Sequence, residues 1–139
     1  MQYTQAGKYN DKKIIDLIKI VKKEVDFAFY PIEAYHVYSI AKSQSKLEGD
    51  MAEVGVYQGG SAKLISEVKN EKELHLFDTF EGISDNSSFE ESDQTKYSTS
   101  TWRFTDTSLS GVKNYITQVN NNVQYYKGYF PKSIPKNLH

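Results

Sequence analysis

The chain has 139 residues, within the usual range for one domain and long enough to bury a core. Apolar residues make up 38% of it and charged residues 25%, a balance that argues against a disordered or membrane-embedded chain. Seventeen basic residues against eighteen acidic ones leave a net charge of -1, so no global field favours nucleic acid or an anionic bilayer, and a small-molecule partner is expected. The absence of cysteine removes disulfides, thiolate nucleophiles and Cys-based zinc sites.

Met1 to Asp11 is polar and is followed by Lys12 and Lys13, with no apolar h-region, so no signal peptide is expected and the reading is cytoplasmic. Lys19, Lys22 and Lys23 interrupt the most apolar stretch before the roughly 20 residues that a membrane span needs. Ile14, Leu17, Ile18, Val21 and Val25 recur at helical spacing and predict a first amphipathic helix. Pro31 suits the first turn of a second helix running to about Ser45, with Tyr35, Tyr38 and Ala41 on its inner side. These two helices either cover a sheet face or close over a ligand.

From Met51 the pattern changes, which divides the chain into a helical segment, 1–50, and a second unit, 51–139. Ala52 to Val56 reads as a short buried strand, Gly59-Gly60 as a turn, and Ser61 to Lys69 as a helix with Leu64, Ile65 and Val68 inward. Leu74 to Asp78 is a second strand. The polar segment from Glu81 to Phe104 is long enough to be a lid or binding loop, with plain disorder as the competing reading. Asp106 or Thr107 is a candidate cap for a helix whose inner positions are Leu109, Val112, Ile116 and Val119, and Val123 to Lys127 is the third strand. Strand, helix, strand, helix, strand predicts a parallel sheet of the doubly wound type, with the first strand at an open edge that is a hazard for pairing between copies.

The turn Glu53-Val54-Gly55-Val56-Tyr57-Gln58-Gly59-Gly60-Ser61 lies between a strand and a helix, where backbone N–H groups converge on an anionic ligand. A dinucleotide fingerprint would need glycine at position 57, so that the backbone can approach a pyrophosphate, and Tyr57 stands there. A ligand without pyrophosphate fits better, and S-adenosylmethionine is one. On this reading Ser61 and the helix start meet its carboxylate, Asp78, 23 residues after Gly55, accepts the ribose hydroxyls, and the adenine lies near Gly128 and Tyr129. Each assignment has a structural competitor: Glu53 as a strand-edge carboxylate, Asp78 as a turn cap, Ser61 as an N-cap, Tyr57 as core. His75 reads as a core histidine, His36 has no second ligand one turn away, and Glu90, Glu91 and Asp93 read as a solvated loop.

The runs Met51 to Ala62, Leu74 to Gly82, Asp106-Thr107-Ser108 and Lys127 to Pro131 resemble successive blocks of the macrocin O-methyltransferase (TylF-like) family in order and spacing, whereas the first 45 residues resemble nothing specific. The resemblance implies the Rossmann-like class I methyltransferase fold, S-adenosylmethionine as cofactor, and methylation of a hydroxyl on a sugar or related small molecule. It assigns Glu53, Gly55, Val56, Tyr57, Gly59 and Ser61 to the cofactor turn, Asp78, Thr79 and Phe80 to the ribose side, and Gly128 and Tyr129 to the adenine. It also implies Mg2+, whose aspartate ligands, with the base, follow the fourth and fifth strands in the family. The chain reaches only His139, so the expectation is the cofactor-binding half of the fold, inactive alone. The alternative is a truncated, non-catalytic Rossmann-like protein that binds a nucleotide or cofactor.

Overall fold

The computed structural model describes residues 11–84, 102–117 and 122–138. Helix α1, Lys12–Glu24, starts where the Asp11 carboxylate accepts the Lys13 N–H and buries Ile14, Ile18 and Val21. Helix α2, Pro31–Gln44, opens on a proline whose missing N–H costs nothing in a first turn, with the Glu33 carboxylate reaching back to the Tyr30 N–H at 2.7 Å. Ala34 and Ala41 are the buried alanines of α2, while Leu17, Tyr35 and Tyr38, expected on the inner sides, are only partly buried.

Strand β1, Met51–Val54, leads through the glycine turn into helix α3, Gly60–Ser66, and then to β2, Leu74–Asp78. The two-residue strands β3, Ile83–Ser84, and β4, Trp102–Arg103, pair antiparallel and bring the ends of the long polar segment together. Helix α4, Leu109–Thr117, and β5, Val123–Lys127, complete the order. The sheet runs β1-β2-β5, all parallel, with β2 central and β1 at an edge, as the alternation predicts.

Period-2 alternation decides what each face carries. Leu74 and Leu76 of β2 and Val123 of β5 point toward α3 and α4 and form a core with Val56, Ala62, Phe80, Val112 and Ile116. The register that sets Glu53 beside Leu76 directs Glu53 to the same side, toward α3. His75 and Phe77 point to the other face, where Phe77 stacks on Tyr126 with centroids 4.6 Å apart.

Helices α1 and α2 cover helix α3 and not a sheet face directly, and it is their connector, 25–30, that reaches the carboxyl ends of the strands. Their apolar sides pack on Leu64 of α3. Buried Lys63 of α3 fixes that placement: its ammonium lies 3.0 Å from the Glu24 carboxylate and 4.2 Å over the ring of Tyr115, whose hydroxyl donates to the same Glu24 oxygen. Lys63 and burial act in opposite directions on Glu24, and the hydrogen bond from Lys63 prevails, holding the carboxyl below its ordinary range.

The predicted caps of α4 are corrected. Ser108 caps it, accepting the Gly111 N–H at 3.1 Å, because Asp106 and Thr107 are both engaged with the glycine turn. Val119, His139 and the Glu90, Glu91 and Asp93 group lie outside the described residues.

Candidate functional site

A cavity of about 400 Å³ opens at the carboxyl ends of β1, β2 and β5. This is where a parallel α/β sheet leaves a crevice, because the connections to the following helices diverge there. Its floor is the glycine turn, with Gly55, Val56, Tyr57, Gly60 and Ser61. Asp78 and Thr79 come from β2, Gly128 and Tyr129 from the end of β5, and Phe27, Phe29, Phe77, Phe104 and Phe130 supply aromatic walls.

The turn takes its shape from positive φ angles at Gly55 (84°), Tyr57 (53°) and Gly59 (88°). A Cβ at Gly55 would meet nothing within 4 Å, so this glycine leaves open space. At Gly60 the opposite holds: a Cβ would come 2.5 Å from Cδ2 of Phe27, so the absent side chain is what lets the aromatic connector sit down on α3. Tyr57 holds a left-handed conformation that favours glycine, and its phenol is held from two sides. Its oxygen is 2.7 Å from Oδ1 of Asp106 and 3.1 Å from Oδ2 of Asp26. Burial, then these two carboxylates, push the phenol well above its ordinary pKa. Gln58 completes the strap, accepting the Asp26 N–H at 2.8 Å and donating to both the carbonyl and the carboxylate of Asp106 at 2.9 Å.

Asp78 joins the two turns. Its Oδ2 accepts the N–H groups of Val56 (2.6 Å) and Tyr57 (3.1 Å), and its Oδ1 accepts that of Phe80 at 2.7 Å. Two of its lone pairs are thus filled at Oδ2 and one at Oδ1, with Thr79 Oγ1 at a longer 3.4 Å. One strong acceptor site therefore remains, where the sequence reading assigned two ribose hydroxyls.

Ser61, a buried residue, donates its hydroxyl proton to Oε1 of Glu53. The serine is therefore committed to a carboxylate of its own chain. The other oxygen, Oε2 of Glu53, is fully enclosed and has no hydrogen-bond partner among the described residues. Burial raises the Glu53 carboxyl to about 7, the bond from Ser61 opposes this, and the charge of Asp78 adds to it. An acceptor enclosed without a donor is costly unless a cation or a donor arrives.

Of the sequence-predicted set, Gly55, Val56, Tyr57, Ser61, Asp78, Thr79, Gly128 and Tyr129 line the cavity. Glu53, Gly59 and Phe80 stand behind it: Glu53 under Ser61, Gly59 against Ile116 and Val112, and Phe80 in the core at 2% exposure. Sequence reading missed the connector residues Asp26, Phe27 and Phe29, together with Gln58, Phe104 and Thr107. The one available signal was the aromatic run Phe27-Ala28-Phe29-Tyr30 between two helices, too apolar for a solvated link.

A set of oxygens suited to magnesium is not assembled at the cavity among the described residues. Its two acids, Asp26 and Asp78, are engaged with Tyr57 and with backbone N–H groups, whereas magnesium demands an octahedron of free oxygens.

Comparison with curated proteins finds no match. Among solved structures, the chain is similar to one described as the structure of the O-methyltransferase NovP, with a TM-score of 0.59 and 17% identity, over 76% of this chain and 48% of that one. That likeness is one of fold, and the chain spans about half the length of that structure. The family model for macrocin-O-methyltransferase (TylF) matches residues 36–138, so it takes in part of α2 as well as the glycine turn, Asp78 and the end of β5. The chain belongs to the macrocin-O-methyltransferase (TylF) family.

Proposed function

We propose that the cavity binds S-adenosylmethionine and serves transfer of its methyl group to a hydroxyl of a sugar or related small molecule. The observation that carries this reading is the cavity at the carboxyl ends of the parallel strands, with the glycine turn and Asp78 lining it and aromatic rings as its walls. Aromatic faces attract a sulfonium as they attract other cations, and they stack on adenine. Asp78 keeps one acceptor site for a ribose hydroxyl, and the open space over Gly55 admits the ligand close to the backbone. Tyr57, in place of a glycine, denies that approach to a pyrophosphate.

When bound, the cofactor supplies an electrophilic methyl group. The residues of this chain bind and orient it, and the apolar walls exclude water from it. Magnesium and the acceptor-side base are part of the reading through the family alone, and no step is assigned to them here.

Calorimetric titration of S-adenosylmethionine into the protein tests the reading. One equivalent is expected, with NAD failing to compete. Absence of binding, or displacement by NAD, sinks it.

A further inference from the structure

We infer that the opposite end of the sheet holds a divalent metal ion of the zinc class, bound by Asp50, Glu73 and His75. Asp50 immediately precedes β1, Glu73 immediately precedes β2, and His75 is the second residue of β2. The parallel register pairs Met51 with Leu74 and so draws all three together. One ligand atom from each lies within 4.8 Å of the others. Nε2 of His75 is 3.5 Å from Oε2 of Glu73 and 3.9 Å from Oδ2 of Asp50. Ligand atoms bound at about 2.1 Å around a tetrahedral ion are about 3.4 Å apart, so closing on a metal needs shifts of only tenths of an ångström to about one.

The remaining atoms of the same side chains are already held. Oδ1 of Asp50 accepts the Glu73 N–H at 2.9 Å, Oε1 of Glu73 accepts Nε2 of Gln124 at 2.7 Å, and Nδ1 of His75 meets the Tyr126 hydroxyl at 3.0 Å. This is the outer layer that orients metal ligands: each partner fixes a side chain by the atom that the ion does not use. His75 supplies a second, separate observation. Its ring is only 6% exposed and stacked on Tyr126, yet Nε2 makes no hydrogen bond among the described residues and is aimed at two carboxylate oxygens. Of the neighbouring ammonium groups, Lys69 donates to the carbonyl of Lys72 while its charge also acts on Glu73 and Asp50, and Lys72 donates to the carbonyls of Leu47 and Gly49.

An imidazole with two carboxylates selects zinc, cobalt or manganese over magnesium and calcium, which take larger sets of oxygens. The half-exposed Asp50 leaves a fourth position open to water. The place is three residues below Asp78 on β2, about 10 Å from that carboxylate, so the ion would join the start of β1 to the start of β2 and take no part in methyl transfer.

The test is calorimetric titration of zinc into the metal-free full chain, followed by the cobalt(II) visible spectrum. One equivalent with a micromolar Kd, at least tenfold weaker in both D50N and E73Q, is expected, as is an intense low-symmetry cobalt spectrum in the wild type that H75Q abolishes. No binding below about 1 mM zinc, or binding that both variants leave unchanged, overturns the site. If a variant does not fold, the wild-type cobalt spectrum decides, and the weak spectrum of the free aquo ion overturns it. S-adenosylmethionine affinity in E73Q is expected to match the wild type, so loss of the metal site and failure of the cofactor reading are separable.

Discussion

The two ends of the same three strands handle their carboxylates differently. At the carboxyl ends, Asp78 is filled by backbone N–H groups of two turns, while Glu53 keeps one enclosed oxygen with no donor beside an apolar cavity. At the amino ends, Asp50 and Glu73 each use one oxygen on the protein and direct the other at a buried imidazole. The first arrangement stiffens a turn and leaves apolar room above it. The second leaves three convergent donor atoms and little room. A ligand-sized site and an ion-sized site therefore differ less in residue type than in which atoms the fold leaves unspent.

The largest effect is expected from Asp78→Ala. It removes the acceptor of three N–H groups in two turns, which should cost about 4 kcal/mol in urea denaturation and abolish S-adenosylmethionine binding. A loss under about 1 kcal/mol would show that the turns hold without it.

Glu53 comes next, through pH. Its carboxyl ionises at about 7 in the folded chain against 4.5 unfolded, so the folded state holds the extra proton between those values. The contribution of Glu53 is then most favourable below about 4.5 and falls as pH rises toward 7, by up to about 3 kcal/mol. Glu53→Gln should flatten that slope, measured by denaturation across the same window. A wild-type stability curve with no slope there contradicts the burial of this carboxyl.

Gly60→Ala is expected to cost about 2 kcal/mol, because its Cβ would meet the ring of Phe27 at Cδ2 (2.5 Å) and at Cγ (2.9 Å), and a rigid ring cannot yield without moving the connector. Thermal unfolding measures the cost, and cofactor affinity should fall with it. The smallest effect is expected from Tyr57→Phe, about 1 kcal/mol, with a severalfold faster cofactor release in stopped flow as the strap to Asp26 and Asp106 loosens. Tyr126→Phe removes the hydroxyl that meets His75 at the amino end, keeps the stack on Phe77 and should leave cofactor affinity unchanged. If Tyr126→Phe weakens the cofactor as much as Tyr57→Phe, the two ends are coupled and the contrast between them fails.

Much of the fold was legible because its signals are local. The spacing of Ile14, Ile18 and Val21 marked α1, Pro31 marked the start of α2, and the run from Leu74 to Asp78 gave the bounds of β2. The cavity floor was legible for the same reason, since a glycine turn and the acid after the next strand are read along the chain. The aromatic connector was not, because Phe27 and Phe29 become cavity walls only once Gly60 lets one ring dock and Lys63 anchors α1 by Glu24. The cap of α4 failed for a related reason: Asp106 and Thr107 have the right chemistry but are drawn away by Tyr57 and Gln58, about 50 residues distant.

By itself the sequence determined the order of the main helices and strands, the parallel sheet and the place of the glycine turn, because periodicity and backbone sterics act within a few residues, whereas the short pair β3 and β4 fell in a segment read as a loop. Only the tertiary structure decided which polar atoms remain without a partner. Whether Oε2 of Glu53 lacks a donor, how many lone pairs Asp78 has left, and whether His75 faces two carboxylates depend on contacts between distant segments.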